Sequence, residues 1–203
     1  MINRTWKLFF FAGVLILFMF AAPVGAKKFQ DLEIPDNITV EQTELFLQGV
    51  GMRVKYNIID VYAGALYLQG ASNPLDASRT AKDILDSDEA IAIRMYIETG
   101  MLTQKKLVTA LEGGLKKSTQ GNPEQFEDET EKLVSQGLEQ KEEVEKSDVV
   151  DFVYIPEKGL QLIINSEHVT TVKCGVDFKK AFFGIWLSEN PVQKNLKEAM
   201  LGN

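Results

Sequence analysis

The chain has 203 residues, with 22 lysines and arginines against 29 aspartates and glutamates, and only one cysteine and one histidine. A net charge of −7 repels polyphosphate and anionic membrane surfaces, which argues against nucleic acid as a partner. Cys174 has no second cysteine for an internal disulfide, and with the lone His168 it leaves no zinc site of recognisable ligand spacing, so neither metal nor cofactor is expected.

Residues 1–26 read as a secretory signal. Arg4 and Lys7 supply a basic start, Leu8 to Ala22 is apolar without a charge, and Val24-Gly25-Ala26 offers small residues for cleavage after Ala26. The competing reading is an uncleaved anchor, but the apolar run is short of the roughly 20 residues a spanning helix needs, and Pro23 ends it. The expected destination is the periplasm. The remaining 177 residues (203 less the first 26) fit one domain, carry 20 basic against 29 acidic side chains, and contain no further stretch able to span a bilayer.

Lys27 to Val40 reads as an irregular lead-in with Pro35-Asp36-Asn37 as turn chemistry. Thr43 to Gln48 is a short strand, and Gly49 and Gly51 around Val50 suggest a tight or bulged backbone. Met52 to Ile58 alternates, with Met52, Val54, Tyr56 and Ile58 on one face and Arg53, Lys55 and Asn57 on the other. Val61 to Leu68 is a strand apolar enough to be buried on both faces. A short helix over Leu75–Leu85 and a strand over Asp88–Ile97 follow. Thr103 is placed to cap a helix to about Ser118, whose Leu107, Ala110, Leu111 and Leu115 share a stripe. Asn122-Pro123 starts another helix, with Asn as cap and Gln125 completing a capping box. Val149–Ile155, Leu160–Ile164 and Glu167–Lys173 form a β-meander. Asp177 caps a helix carrying Phe178, Ala181, Phe182, Ile185 and Trp186, and Asn190-Pro191 opens a last one. Strands joined by short turns pair antiparallel, and helices with single apolar stripes cover one face. The fold class is therefore α+β: a large antiparallel sheet covered on one face by a layer of helices. There is no GxGxxG or Walker loop.

Three polar groups invite attention. Arg53 sits on a strand, where a guanidinium can offer a planar fork to a carboxylate; a solvent-facing arginine with no partner is the plainer reading. Arg94 has the same standing beside Tyr96. Tyr62 interrupts an apolar strand, and a buried phenol needs a hydrogen-bond partner, most simply a backbone carbonyl. Phe182, Phe183 and Trp186 read as core more readily than as a pocket.

Gly49-Val50-Gly51-Met52-Arg53 with Val61-Tyr62-Ala63-Gly64-Ala65-Leu66-Tyr67-Leu68 resembles the opening strands of the chalcone isomerase-like family. Tyr154-Ile155-Pro156-Glu157-Lys158-Gly159 is similar to its hairpin. Gly175 to Phe178, Ala181 to Leu187, Asn190-Pro191-Val192 and Leu196-Lys197 are similar to its C-terminal end. The resemblance spans about residues 40–202 and implies an open-faced β-sandwich with a cleft between sheet and helices. Plant chalcone isomerases close a flavanone ring by intramolecular oxa-Michael addition, using an Arg, a Thr, a Tyr acting through water, and an Asn. Arg53 matches the Arg, Tyr62 stands for the Thr, the Tyr falls near Leu102 and the Asn near Thr109. Losing preorganised donors costs about 100- to 1,000-fold each, so isomerase activity is not expected. The fatty-acid-binding members grip a carboxylate with an Arg and a Tyr on these two strands. The resemblance thus implies a non-catalytic carrier of a fatty acid or similar small carboxylate, with Arg53, Tyr62 and Thr109 as ligand-binding residues. The alternatives are an isomerase or lyase acting on a phenolic or enolisable molecule, and an interaction protein whose cleft is filled. Arg53 and Tyr62 are an odd number of positions apart, so the intervening turn or a bulge has to bring them to one face.

Overall fold

The computed structural model describes residues 25–70, 79–140 and 143–203. The expected signal therefore lies almost wholly outside the described residues, as does the start of the expected Leu75–Leu85 helix. Of that helix, α1 (Ala81–Asp86) is seen, with Thr80 and Asp83 forming a reciprocal capping box.

Seven strands follow one another in a single antiparallel sheet in chain order: β3 (Asn37–Val40), β4 (Thr43–Lys55), β5 (Ile59–Gln69), β6 (Ile91–Ile97), β7 (Val149–Ile155), β8 (Gly159–Ile164) and β9 (Glu167–Val172). The expected irregular lead-in is instead ordered strand. β1 (Ala26–Phe29) and β2 (Leu32–Pro35) form a separate hairpin, with Gln30 in the left-handed region at the turn. Its Ile34 joins Leu45, Val50, Ala63, Ala65 and Tyr67 in a small core on one face of the sheet.

The other face carries the helices α2 (Gln104–Ser118), α3 (Glu127–Ser135), α4 (Val176–Leu187) and α5 (Lys194–Met200). The main core lies here, where Leu66, Ile93, Phe152 and Leu162 of the sheet meet Leu111, Phe182 and Trp186 of the helices. Phe182 contacts Phe152, Phe178, Phe183 and Trp186 at centroid distances of 5.0–5.9 Å, so Phe182 and Phe183 are core, as expected, while Trp186 packs with them and also borders a cavity. β5 is buried on both faces, as its composition requires. Gly114 lies where α2 crosses α4: a Cβ there would sit 3.2 Å from Cγ1 of Ile185.

Several helix starts depart from the expected caps. Thr103 accepts from Lys106 N as expected. Asn122 makes no side-chain cap; Pro123–Phe126 forms a 3₁₀ turn before α3. Gly175, not Asp177, occupies the cap of α4, and α5 begins at Lys194, after the expected Asn190-Pro191. Glycine is itself a favoured cap residue, which accounts for Gly175 at the start of α4.

Candidate functional site

β4 is one continuous strand of 13 residues, with a register shift between Leu47 and Gly49. Gly49 and Gly51 are where α5 lies down on the sheet. A Cβ on Gly49 would sit 2.8 Å from the Met200 carbonyl oxygen, and one on Gly51 would sit 2.7 Å from Cβ of Ala199. This close approach brings Gln193, just before α5, to the border of β4 beyond the reach of β3, whose pairing stops at Phe46. The Gln193 amide there does the work of a missing strand. Its Nε2 donates to Met52 O at 3.1 Å, and its Oε1 accepts from Val54 N at 3.0 Å.

The same Oε1 accepts from Nη1 of Arg53 at 2.8 Å, and Nη1 also donates to Val54 O at 2.6 Å. The guanidinium is thereby fixed by one nitrogen. Among the described residues its Nε and Nη2 have no hydrogen-bond partner, and this is the edge that binds a carboxylate in bidentate fashion.

Tyr62 lies directly opposite Arg53 across the β4–β5 ladder. Lys55 pairs with Ile59 and Val54 with Asp60, but Arg53 pairs with Tyr62, leaving Val61 as an extra, bulged residue. The bulge supplies the register change that the odd separation demanded, and cross-strand partners share a face. Tyr62 is buried, and its hydroxyl accepts from Trp186 Nε1 at 2.9 Å. No backbone carbonyl among the described residues takes the expected role of partner. Trp186 only donates, so the phenol hydrogen has no acceptor among the described residues. Burial pushes the phenol up to about 12, against the smaller lowering influences of the Trp186 hydrogen bond and the Arg53 charge. Tyr62 is accordingly a donor throughout the physiological range.

Both groups line a cavity of about 390 Å³ between the sheet and α2 and α4, walled by Met95, Leu107, Leu111, Ile185 and Trp186. Leu102 lines it too, buried and without a hydroxyl where the isomerase pattern has a tyrosine. Three cations, Arg53, Lys55 and Lys106, line it, and no carboxylate does so among the described residues.

The structure does not bring Thr109 to this cavity. Leu107 and Leu111 of α2 face it, and a residue two positions from each points about 200° away around a helix of 3.6 residues per turn. Thr109 is exposed, donates to Lys105 O at 2.9 Å, and lines a separate depression between α2 and α3. Arg94 is on the opposite face of the sheet and bound to a carboxylate of the chain itself, with Nε and Nη2 donating to the two oxygens of Asp151 at 2.7 and 2.8 Å. Tyr67 donates to Pro35 O at 2.9 Å. Sequence reasoning missed Gln193, Lys55 and Lys106. Nothing local marks Gln193, which meets Arg53 across 140 positions of chain. Cys174 is half-buried, and desolvation pushes its thiol up to about 11, which leaves it a poor nucleophile.

The model of the chalcone isomerase-like family matches residues 26–202. The chain belongs to the chalcone isomerase-like family. Among solved structures it is similar to the fatty-acid binding protein of Arabidopsis thaliana, at 20% identity and a TM-score of 0.61, over 84% of this chain and 91% of that one. That likeness shows a shared fold. No curated protein matches the sequence significantly.

Proposed function

We propose that this member of the family binds a fatty acid or similar small amphipathic carboxylate in the cavity between sheet and helices, without catalysing a reaction. One observation carries the reading: a half-used guanidinium and a phenol with an unaccepted hydrogen face each other across one ladder, in an apolar cavity lined, among the described residues, by cations and no anions. A carboxylate satisfies both groups at once, and an alkyl chain fills the space behind them. A cavity of about 390 Å³ lies within the usual range of roughly 300–1,000 Å³ for small-molecule sites. The named function of the Arabidopsis thaliana neighbour is consistent with this reading, and Leu102 in place of a hydroxyl-bearing side chain argues against ring-closing chemistry. Residues 1–26 are proposed to export the protein to the periplasm, which an N-terminal sequence of the purified envelope protein beginning at Lys27 tests.

The ligand is tested by displacement of a fluorescent fatty acid. Arg53→Gln removes the fork, and charge-assisted hydrogen bonds are worth about 1.5–3 kcal/mol each, so losing two of them lowers affinity by at least roughly 100-fold. Equal affinity in the two proteins, or no binding by the unaltered chain, ends the proposal.

A further inference from the structure

Three large apolar side chains stand exposed among the described residues: Tyr56 at 74%, Ile58 at 83% and Met101 at 58%. All three gather at one place. Tyr56 and Met101 line the mouth of the acid-binding cavity, and Ile58 lies in the β4–β5 turn between Tyr56 and Ile59, which line it as well. The alternation that placed Tyr56 and Ile58 on the apolar face of a strand ends at Lys55, and both residues ride the turn instead.

That turn is built against local preference. Ile58 N donates to Lys55 O, and Tyr56 and Asn57 both take the left-handed conformation, at φ 55° and 59°. Two such residues in a hairpin call for Asn-Gly or Asp-Gly. A tyrosine at the first of them is strained, because its Cβ crowds the backbone. The sequence thus accepts strain to hold an aromatic ring in water at the tip of a hairpin. Neither folding nor solubility gains from this.

The charged side chains that line the mouth share one sign among the described residues; exposed Asp60, paired with Val54 in the same hairpin, does not line it. Lys55 adjoins it, with its ammonium over the Tyr56 ring at 5.1 Å, and Lys106 donates to Met101 O at 2.8 Å. Neither has a carboxylate within ion-pair distance among the described residues, and both line the mouth together with Arg53. A net charge of −7 on the whole chain repels an anionic bilayer, which is why composition alone argues against one. Among the charged groups that line this mouth the sign is reversed, so the mouth is where such a surface can be approached.

We propose that the Tyr56–Ile58 turn and Met101 dock the cavity mouth onto a lipid bilayer carrying anionic headgroups, so that an amphipathic acid passes between bilayer and cavity without crossing water. A tyrosine between an aliphatic tip and lysines suits the interface between headgroups and acyl chains. A second copy of the chain suits it poorly, since a two-fold pairing of mouths sets lysines against lysines. The proposal rests on the acid-binding reading for its purpose, but docking itself is measurable without any ligand.

The test uses the exported chain, beginning at Lys27, with Tyr56→Trp and vesicles of phosphatidylethanolamine and phosphatidylglycerol with brominated acyl chains. Subtracting the parent chain removes the signal of Trp186, its one native tryptophan. The added tryptophan is expected to lose at least half its emission on these vesicles, and to keep it when Lys55→Glu and Lys106→Glu are introduced together. Ile58→Trp is a second reporter on the same turn should the first variant fail to fold. Unchanged emission on vesicles, equal quenching in the charge-reversed chain, or burial of the reporter that grows with protein concentration in the absence of lipid would each overturn the proposal. A chain that docks but does not bind the fluorescent acid sinks the ligand reading alone; one that binds the acid without docking sinks this inference alone.

Discussion

Tyr62→Phe removes one oxygen and tests two separate consequences of its position. In the free protein that oxygen is the acceptor for Trp186 Nε1 at 2.9 Å, and both rings are buried. Without it the indole N–H is left unpaired, at about 1–3 kcal/mol. For a domain of this size about 2 kcal/mol lowers the melting temperature by roughly 4–8 °C. In the complex the same oxygen donates to the ligand carboxylate, a bond to a charged group worth about 1.5–3 kcal/mol, so affinity for a fatty acid falls roughly 10- to 100-fold. Calorimetric unfolding reads the first effect, and titration with an acid and with its methyl ester reads the second. The ester carries no charge, so its binding falls much less. If the melting temperature drops while acid and ester lose affinity equally, Tyr62 is a core residue that only shapes the cavity, and the donor assigned to it does not exist.

Gly49→Ala places a methyl against the Ala199 and Met200 carbonyls, backbone atoms that cannot step aside, and overpacking of this kind costs about 1–3 kcal/mol. Denaturant unfolding measures that loss, and weaker acid binding accompanies it because α5 carries Gln193 away from Arg53. At high pH the phenols set the trend. Burial raises Tyr62 to about 12 and also raises Tyr67 and Tyr154, so above pH 10 the unfolded chain ionises tyrosines that the folded chain keeps neutral. The folded state then holds more protons, and stability falls as pH rises, by about 1.4 kcal/mol per unit for each phenol. Lys179, which burial pushes down to about 8, is neutral in both states above pH 11 and leaves that slope alone. Unfolding free energies at pH 11 and 12 check this, and Tyr62→Phe removes about one phenol's share.

Much of this architecture can be read from the sequence because it rests on local periodicity. Val149–Ile155, Leu160–Ile164 and Glu167–Val172 alternate between turns, and Thr103 stands three residues before the amide it caps. Arg53 and Tyr62 were legible as a pair whose spacing called for a turn or a bulge between them; that it is a bulge at Val61 no residue type announces. The end of β4 was hidden because Tyr56 and Ile58 extend its alternation with no glycine or proline to break it. Thr109 was a candidate because the isomerase pattern has an Asn near it, while the phase of Leu107 and Leu111 turns it outward. Gln193 gave no sign, since its role exists only when α5 settles against Gly49 and Gly51. The lysines at the mouth were equally silent: clustering of like charges from separate loops is a property of three dimensions.

The Gln193 side chain also ties two properties of the protein together. It seals an unpaired stretch of sheet border and steadies the arginine at the same time, so the two equilibria are linked. An occupant that favours the ordered guanidinium must equally favour a sealed border. An empty protein is then the one more prone to strand-to-strand association, and supplying the acid should slow its self-association without touching the surface where it begins.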